Sequence, residues 1–308
     1  MHFYTLEDTP LLLGFSGGSD STMLFYLLLE QEHPFEVAHV NHGWRPESSL
    51  EALEIMKICK KEGVTCHTCS LRSIDSNLED YARKERHHFF QKICNDRKLR
   101  GVMLGHHADD QAETVLKRVF EGASLPKLKG LLPKTQIGEL NLYRPLLKWK
   151  KSEILDWLKV RGISYFSDPT NKDHRFLRGR MREELLPTLS KQFGKQVQTS
   201  LCQLGESAQE LADFLEFELE PFRKQFIYFD GNISLDFNKL NLKFPFIYKA
   251  IIRDFFEKEN LTISKSTLNT LLSHLLKNSV CKRIQVGQRV VEIDRGKLTI
   301  KKLKLLSL

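Results

Sequence analysis

A short turn near the amino end of this sequence has the composition of a phosphate-binding loop. Residues 16–21 read Ser-Gly-Gly-Ser-Asp-Ser, after the apolar run 11–15 and before a helix predicted to begin at residue 22. The glycines let a ligand approach the backbone closely, and hydroxyl and N–H groups at a helix N-terminus bind an oxyanion. The carboxylate of Asp20 suits Mg²⁺ better, and that ion would offset the charge of a bound nucleotide. Although the turn matches neither of the two commoner nucleotide-binding motifs, it is predicted to bind phosphates.

A second polar cluster, at residues 105–114, concentrates titratable side chains. Asp110 and Glu113 lie one turn apart in a helix predicted at 110–121, so they share a face of that helix. On its own, this spacing is also typical of an N-terminal capping box. His106 follows the preceding strand and is placed to join the two carboxylates. Which of the three groups accepts a proton stays open, because coupled groups titrate together.

The elements that position these clusters alternate between short apolar runs and helical patterns. Strands are predicted at 11–15, 35–40, 64–71 and 102–104, and helices at 22–32, 46–61, 78–97 and 110–121. This alternation predicts a doubly wound α/β fold, with a mainly parallel sheet and helices on both faces. Ligands of such sheets bind at the carboxyl ends of the strands. Residues 16–21, 39–45 and 105–114 all follow strands, so we expect them to meet at one rim.

Beyond residue 121 the pattern is less regular. Glycines and prolines at 125–143 favour a mobile loop or an excursion at the sheet edge, and a helix is predicted at 152–161 with Ser152 as its N-cap. Residues 187–194 are a predicted boundary. After it we expect helix 198–222, hairpin 226–236, helices 249–259 and 266–276, and strands 283–286, 289–294 and 297–302. The prediction is a catalytic domain at 1–188, then a helical segment and a small α+β domain at 189–308.

The charge of the chain favours a polyanionic partner. Its 308 residues carry a formal net charge of +8, with basic residues concentrated at 172–195 and 281–308. In the first segment, Arg175, Arg178 and Arg182 share one predicted helical face, while Arg180 lies on another; such an array suits phosphates. Two separate basic segments fit a ligand longer than a nucleotide.

The apolar segments and the cysteines of the sequence indicate where the protein is located in the cell. The sequence contains no apolar run long enough to cross a membrane, and residues 1–10 lack a signal-peptide pattern. We therefore expect a cytoplasmic protein. Six cysteines in a chain of this length do not indicate a disulfide scaffold.

Cys66 and Cys69, with Cys59 nearby, could form a metal or redox cluster. A strand at 64–71 would place Cys66 and Cys69 on opposite faces, however. No second Cys-x-x-Cys pair completes a four-ligand site. The pair is nevertheless the main support for an alternative, sulfur-transferring chemistry.

The turn at 16–21 resembles the pyrophosphate loop of the N-type ATP pyrophosphatases, which split ATP between its α and β phosphates and adenylate an acceptor. Further motifs make the chain, over roughly residues 11–187, similar to the tRNA(Ile)-lysidine synthetase family. They are His39-Val40-Asn41-His42-Gly43, Glu79-x-x-Ala82-Arg83-x-x-Arg86, residues 104–114, Arg144-Pro145-Leu146-Leu147, Asp168-Pro169-Thr170-Asn171 and Leu177-Arg178-x-Arg180. The basic carboxy-terminal segment resembles that family's first tRNA-binding domain. We expect the further carboxy-terminal domain of longer members to be missing.

Members of that family adenylate carbon 2 of the wobble cytidine in an isoleucine tRNA with a CAU anticodon, releasing pyrophosphate. Free lysine then displaces AMP to form lysidine. The resemblance implies a cytoplasmic ligase of tRNA modification that uses ATP and Mg²⁺ and can be a homodimer. It implies an ATP site formed by Ser16, Gly17, Gly18, Ser19, Asp20 and Ser21, with Mg²⁺ on Asp20.

The resemblance also assigns roles to the other polar residues. His106, Asp110 and Glu113 are expected to form the lysine and proton-transfer site. Arg86 and Arg178 would stabilise the α-phosphate or orient the tRNA. Contacts with tRNA are expected from Arg175, Arg178, Arg180 and Arg182, and the flipped base could stack on Trp44 or Tyr165.

Three alternatives stay open. A tRNA thiolase with the same pyrophosphate loop would need Cys66 and Cys69 for its sulfur chemistry. A small-molecule ligase or amidotransferase would explain the loop but not the two basic segments. A non-catalytic tRNA-binding module would explain those segments, and it predicts that replacing Asp20 leaves tRNA binding intact.

Overall fold

The computed structural model describes residues 9–41, 43, 48–71, 78–166, 177–240 and 244–302. The chain divides into two compact units, residues 1–209 and 210–308. The domain boundary expected at residue 188 stays a prediction. Residues 187–194, which were predicted as the boundary, lie in a helix, Leu186–Phe193, and its C-cap. Pro187 fits the first turn, where no N–H donor is required, and Gly194 ends the helix in the left-handed conformation.

The first unit contains a six-stranded sheet in the order β3-β2-β1-β4-β6-β5. Its strands are β1 Leu11–Gly14, β2 Phe35–Asn41, β3 Cys66–Ser70, β4 Val102–Met103, β5 Lys134–Ile137 and β6 Leu140–Tyr143. All pairings are parallel except that of β5 with β6. The predicted doubly wound, mainly parallel sheet is confirmed.

Helices cover both faces of this sheet. Up to residue 223 the described α-helices are α1 Ser19–Glu30, α2 Ser48–Lys61, α3 Leu78–Arg97, α4 Ala108–Phe120, α5 Lys151–Val160, α6 Leu177–Arg180, α7 Leu186–Phe193 and α8 Val197–Arg223, with a π-helical turn at Met181–Leu185. Met181, Leu186 and Leu201 pack against α4. Alternate residues of β1 face opposite layers. Leu11 and Leu13 pack in the core that includes Phe25, whereas Leu12 packs in the core that includes Phe90. Both layers hold β1 rigidly, so the turn that follows it starts from a fixed point.

The segment 125–143 forms regular structure, so of its two predicted forms the excursion at the sheet edge is confirmed. A 3₁₀ helix at Leu125–Lys129 leads into the β5–β6 hairpin, which extends the sheet beyond β4. The prediction missed the hairpin because its turn signal, Gly138, is surrounded by other glycines and prolines. The prediction of Ser152 as an N-cap is also wrong. Helix α5 begins one residue earlier, and Glu153 Oε2 accepts a hydrogen bond of 2.8 Å from the backbone N–H of Lys150.

The second unit is a small α+β structure. Its antiparallel sheet has the order β7-β8-β11-β10-β9. The remaining elements are β7 Ile227–Phe229, β8 Asn232–Asp236, β9 Lys282–Val286, β10 Arg289–Asp294, β11 Lys297–Lys301, α9 Pro245–Glu257 and α10 Lys265–Leu276. One sheet face packs on the helices around Phe255 and Leu271, both fully buried. Among the helices of the described residues, none combines the length and apolar content required to cross a bilayer.

A buried ion pair ties helix α8 to α9 in the second unit. Arg223 donates to both carboxylate oxygens of Asp254, at 2.9 and 2.7 Å, and both side chains are about 12% exposed or less. Glu216 binds the same guanidinium, with a hydrogen bond of 2.8 Å to Nη2, so removing Asp254 breaks two charge-assisted bonds and leaves Arg223 with carboxylate partners from its own helix. We expect D254A to lower the free energy of unfolding by about 2 kcal/mol, measured by urea titration.

The matched control for this pair is Glu220. It lies 3.4 Å from the same guanidinium but is 56% exposed. We expect E220A to change the free energy of unfolding by less than about 0.5 kcal/mol. Equal effects of the two substitutions would show that burial does not govern this pair.

Candidate functional site

The turn after β1 is held closed by its own hydroxyl groups. The Ser16 N–H donates to Ser21 Oγ at 3.2 Å, and Ser21 Oγ in turn donates to the Gly18 carbonyl at 3.1 Å. Thr22 Oγ1 donates to the Gly17 carbonyl at 3.1 Å. Gly18 is the N-cap of α1 and has no side-chain cap. The free N–H groups of the first turn of α1 therefore face the loop, as an oxyanion site requires.

The two glycines of the turn have different structural roles. Gly17 has a φ of +78°, and a Cβ on it would lie 2.2 Å from the Phe166 ring. Gly18 has a φ of −71°, and the nearest atom to a Cβ there is Ser16 Oγ at 3.5 Å. Gly17 is required by the fold of the loop, whereas Gly18 borders open space that a ligand can use.

Helix α4 begins beside this turn and adds a second N-terminus. His107 is its N-cap: the Asp109 N–H donates to His107 Nδ1 at 3.3 Å, and the His107 N–H donates to Asp110 Oδ2 at 3.0 Å. His107 Nε2 lies 3.8 Å from Asp20 Oδ2 and 3.5 Å from Asp110 Oδ2. This buried histidine therefore links the phosphate loop to the carboxylates of α4.

The sequence prediction selected His106 and missed His107. The signal that could have identified His107 is the capping box of α4. His107 and Asp110 form this box, whereas the prediction had considered only Asp110 and Glu113 as its members.

Lys151, at the start of α5, also enters the site. Its Nζ donates to Ser19 Oγ at 2.7 Å and to Asp20 Oδ1 at 2.6 Å. Its backbone N–H donates to Asp109 Oδ2 at 3.2 Å. Lys151 lies 131 residues beyond Asp20 in the chain, and no local pattern marks it as part of the site. Tertiary structure alone brings it there.

Asp110 and Glu113 share one cation, Arg182. The Arg182 Nε–H donates to Glu113 Oε1 at 2.7 Å, and Nη2 donates to Asp110 Oδ1 at 3.0 Å. Glu113 is only 3% exposed. The two carboxylates thus do share a helical face, and the guanidinium bridges them. Arg182 was predicted to contact tRNA, and that role stays a prediction; its observed partners are carboxylates.

The environments of the three predicted proton-transfer groups differ. Burial raises the pKa of Glu113 to about 7, although Arg182 opposes the shift. Burial acts in the same direction on Asp110, but the charges of His107, His106 and Arg182 outweigh it and lower the pKa of that carboxyl. Burial, with neighbouring arginines, lowers the pKa of His106 to about 4. At neutral pH, His106 is uncharged, Asp110 is ionised and Glu113 is half-titrated.

Three arginines lie close enough to His106 to act on its charge. The charges of Arg144, Arg178 and Arg86 all lower the pKa of that histidine, and the charge of Arg178 also lowers the pKa of Arg86, where burial is the larger cause. Arg86 Nε is buried and has no hydrogen-bond partner among the described residues. Like charges repel, so this arrangement is favourable only with an anion among them.

Other predicted site residues are placed as follows. Arg178 and Arg180 are exposed on the short helix α6, and Tyr165 is 43% exposed. Arg175 and Trp44 lie outside the described residues. The role of each in binding tRNA stays a prediction.

Cys66 and Cys69 do not form a shared site. Cys66 packs in the core with Cys59, whereas Cys69 lies on the other face of β3, where burial and the charge of Glu85 raise its pKa. Both thiols are free. Within the part of the chain that the structure describes, no three histidine, cysteine or acidic side chains are grouped to hold a metal.

The same finding limits the protein ligands that are available to Mg²⁺. Asp20 provides one carboxylate at the phosphate loop, and Mg²⁺ is commonly held by one or two carboxylates together with substrate phosphates and water. The donor set therefore fits an ion that arrives with a nucleotide and does not fit a cage made of protein ligands alone.

The basic segment of the second unit is partly neutralised. On the exposed face of its sheet, Glu292 pairs with Arg283 at 3.1 Å and also with Lys301. These pairs reduce the positive charge of that face below what the composition of the segment indicates.

The parallel sheet, the turn after β1 and the polar rim define a nucleotide-binding domain of the PP-loop class. The model of the PP-loop domain, ATP_bind_3, matches residues 2–189. The tRNA(Ile)-lysidine synthase of Chlamydia pneumoniae is 38% identical over 94% of this chain and 91% of that protein. The enzyme of the same name from Chlamydia muridarum is 39% identical over 91% of this chain and 88% of that protein. The chain belongs to the tRNA(Ile)-lysidine synthase family.

A solved structure supports the fold. The U34-tRNA thiolase NcsA from Methanococcus maripaludis, with its [4Fe-4S] cluster, aligns with a TM-score of 0.54 over 66% of this chain and 73% of that one. At 20% identity, this likeness concerns the architecture alone.

The two loop glycines give a test of the geometry. G17A forces a left-handed φ on alanine and places its Cβ against Phe166, so we expect a loss of about 2 kcal/mol or more in stability. G18A meets neither obstacle and should change the free energy of unfolding by less than about 0.5 kcal/mol. Denaturant unfolding of both variants measures the difference, and equal losses would contradict the assigned roles.

Proposed function

We propose that this protein ligates free lysine to carbon 2 of the wobble cytidine in the CAU anticodon of an isoleucine tRNA, through an adenylated tRNA intermediate. The observation that carries the proposal is the carboxylate pair Asp110 and Glu113, which holds a side-chain cation next to the phosphate loop. Such a pair can bind the ammonium of an amino acid beside an activated phosphate ester. Family membership supports the same reaction.

The first half-reaction transfers AMP from ATP to the cytidine O2 and releases pyrophosphate. The hydroxyl and N–H groups of residues 16–21 would bind the departing pyrophosphate, and Asp20 would hold a Mg²⁺ ion that stabilises negative charge on the phosphates. The guanidinium groups of Arg86 and Arg178 would bind the α-phosphate, because their mutual repulsion is relieved by an anion. His106, uncharged at neutral pH, would donate a hydrogen bond without adding to the positive charge.

The second half-reaction needs lysine with a neutral ε-amine. The amine nitrogen attacks carbon 2, the bond from carbon 2 to the AMP-bearing oxygen breaks, and AMP leaves with that electron pair. We assign the proton acceptor to Glu113, because its pKa of about 7 is the best matched of the three groups to neutral pH. Asp110, ionised throughout, would hold the ammonium in place before the transfer.

Arg182 would occupy the place of the substrate ammonium while lysine is absent. Its guanidinium makes the two bonds that an ε-ammonium could make with Asp110 and Glu113. Binding of lysine would then displace Arg182, which is free to turn towards an RNA phosphate. This exchange reconciles the observed ion pair with the predicted tRNA contact.

The remaining expectations complete the proposal. Exposed Arg180, with Arg175 and Arg178, would contact the tRNA backbone, and Trp44 or Tyr165 would stack on the extruded cytidine. The protein would act in the cytoplasm, and it can form a homodimer.

The direct test is an incorporation assay. Purified protein is mixed with ATP, Mg²⁺, radiolabelled lysine and an isoleucine tRNA with a CAU anticodon, and acid-precipitable label is measured together with pyrophosphate. We expect label that depends on ATP and on the wobble cytidine. A C34U tRNA is the matched control. Pyrophosphate release without label would overturn lysine as the acceptor and favour the thiolase alternative.

The pKa of Glu113 gives a second test. Only the ionised carboxylate accepts a proton, so the rate of the lysine step should rise with pH, with a midpoint near 7. The measurement is single-turnover transfer from preformed adenylated tRNA between pH 5.5 and 8.5. E113Q should lower the rate by about 100-fold or more and remove this rise.

The free energy of unfolding depends on the ionisation of Glu113 in the opposite direction to the rate of the lysine step. Because the folded-state pKa of Glu113 lies above that of the unfolded chain, the folded state binds more protons, and its contribution to stability falls as pH rises from about 4.5 to about 7. E113Q should remove that fall in unfolding titrations. In the single-turnover measurement, a pH dependence of the lysine step that E113Q leaves unchanged would show that another group is the proton acceptor.

A further inference from the structure

Lys151 contacts the phosphate loop but has no role in the proposed reaction as described above. Its ammonium donates to both Ser19 and Asp20, two residues of the phosphate loop. The side chain of Lys151 is 35% exposed and that of Asp20 is 27% exposed. Ion pairs of this exposure contribute little to stability. The position of Lys151 therefore calls for an explanation other than folding.

Three helix N-termini lie next to one another where Lys151 enters the site. Helix α1 begins at Ser19, α4 begins at Ala108, and α5 begins at Lys151 itself. Two contacts fix them together: the Ala108 N–H donates to the Trp149 carbonyl at 2.9 Å, and the Lys151 N–H donates to Asp109 Oδ2 at 3.2 Å. Each N-terminus carries a partial positive charge. The carboxylates of Asp20, Asp109 and Glu153 in their first turns offset part of that charge. The ammonium of Lys151 adds a further positive charge, so this place can bind an anion larger than one carboxylate.

The space beside the ammonium suits such an anion. Gly18 has no heavy atom closer than 3.5 Å to the position of a Cβ, so the loop is open on that side. Gly105 lies against the first turn of α1, where a Cβ would be 3.0 Å from the Ser21 nitrogen, so only a glycine fits there without displacing the loop. An anion can approach Ser19 and Lys151 over Gly18.

We propose that Lys151 binds the phosphates of ATP, by moving its ammonium from Asp20 to the β and γ phosphates when the nucleotide enters. In the nucleotide-free protein Lys151 neutralises Asp20; with ATP bound, Asp20 is released to hold Mg²⁺. The inference rests on the proposed use of ATP but not on lysine as the acceptor. It predicts that metal and nucleotide bind together, since the cation that blocks Asp20 leaves only when phosphates arrive.

The test compares K151M with K150M. Methionine keeps the length of the side chain and removes its charge, and the backbone N–H of residue 151 can still donate to Asp109. Lys150 is exposed, adjacent and equally charged, and its backbone makes its hydrogen bonds, to Glu153 and Ile154, which K150M keeps. Both variants lose one positive charge, so a general effect of net charge would appear in both.

ATP affinity is measured by equilibrium dialysis with radiolabelled ATP and Mg²⁺, without tRNA or lysine. We expect K151M to weaken ATP binding at least tenfold, as for the loss of one charge-assisted hydrogen bond, and K150M to stay within twofold of the wild-type protein. Circular dichroism and thermal unfolding confirm that both variants are folded. Equal ATP affinities of K151M and wild-type protein, or equal losses in both variants, would overturn the proposal.

A second readout changes in the opposite direction. Mn²⁺ binding to the nucleotide-free protein, followed by electron paramagnetic resonance, should become at least threefold tighter in K151M, because Asp20 has lost its internal counter-ion. Unchanged or weaker Mn²⁺ binding would contradict the exchange of partners. If the wild-type protein incorporates no lysine while K151M still loses ATP affinity, the proposed function fails and this inference stands. If lysine is incorporated and K151M binds ATP normally, the proposed function stands and this inference fails.

Discussion

Carboxylates at the rim of the sheet require cations, and the cations come from distant parts of the chain. Lys151 from α5 pairs with Asp20, and Arg182 from the π-helical turn bridges Asp110 and Glu113. A buried carboxylate without a partner would be costly or would become protonated. The position of α5 and of the π-helical turn is therefore coupled to the state of the site. Any substrate that brings its own positive charge competes with these internal partners.

The rim is also divided electrostatically. Arg86, Arg144 and Arg178 all act on His106 through their positive charges, whereas Asp110 and Glu113 lie on α4. His106 stands between the two groups and is kept neutral by its burial. An anionic intermediate and a cationic nucleophile would each find the opposite charge, and they would meet near this histidine. The arrangement suits the proposed transfer, in which an amine attacks a carbon whose oxygen carries AMP.

The same rim explains why neutral pH suits the proposed chemistry. Burial alone would raise the pKa of both carboxyls of α4, but only Asp110 has two neighbouring histidines to offset that effect. Two carboxylates one helical turn apart thus differ in protonation because their neighbours differ. One stays ionised and can hold a cation, while the other exchanges a proton near pH 7. In the second unit, Glu292 offsets part of the basic charge on the exposed face of the sheet.

The sequence by itself determined the class of fold, the phosphate loop and the shared face of Asp110 and Glu113. Those features depend on short-range regularities: apolar runs, glycine spacing and the period of a helix. Only the tertiary structure decided the partners of these groups. Lys151 and Arg182 reach their carboxylates from 131 and 72 residues away, and no periodicity marks a residue for a contact over that distance. The proton acceptor was open for the same reason, because burial and neighbouring charge set a pKa, and both depend on what the fold brings together.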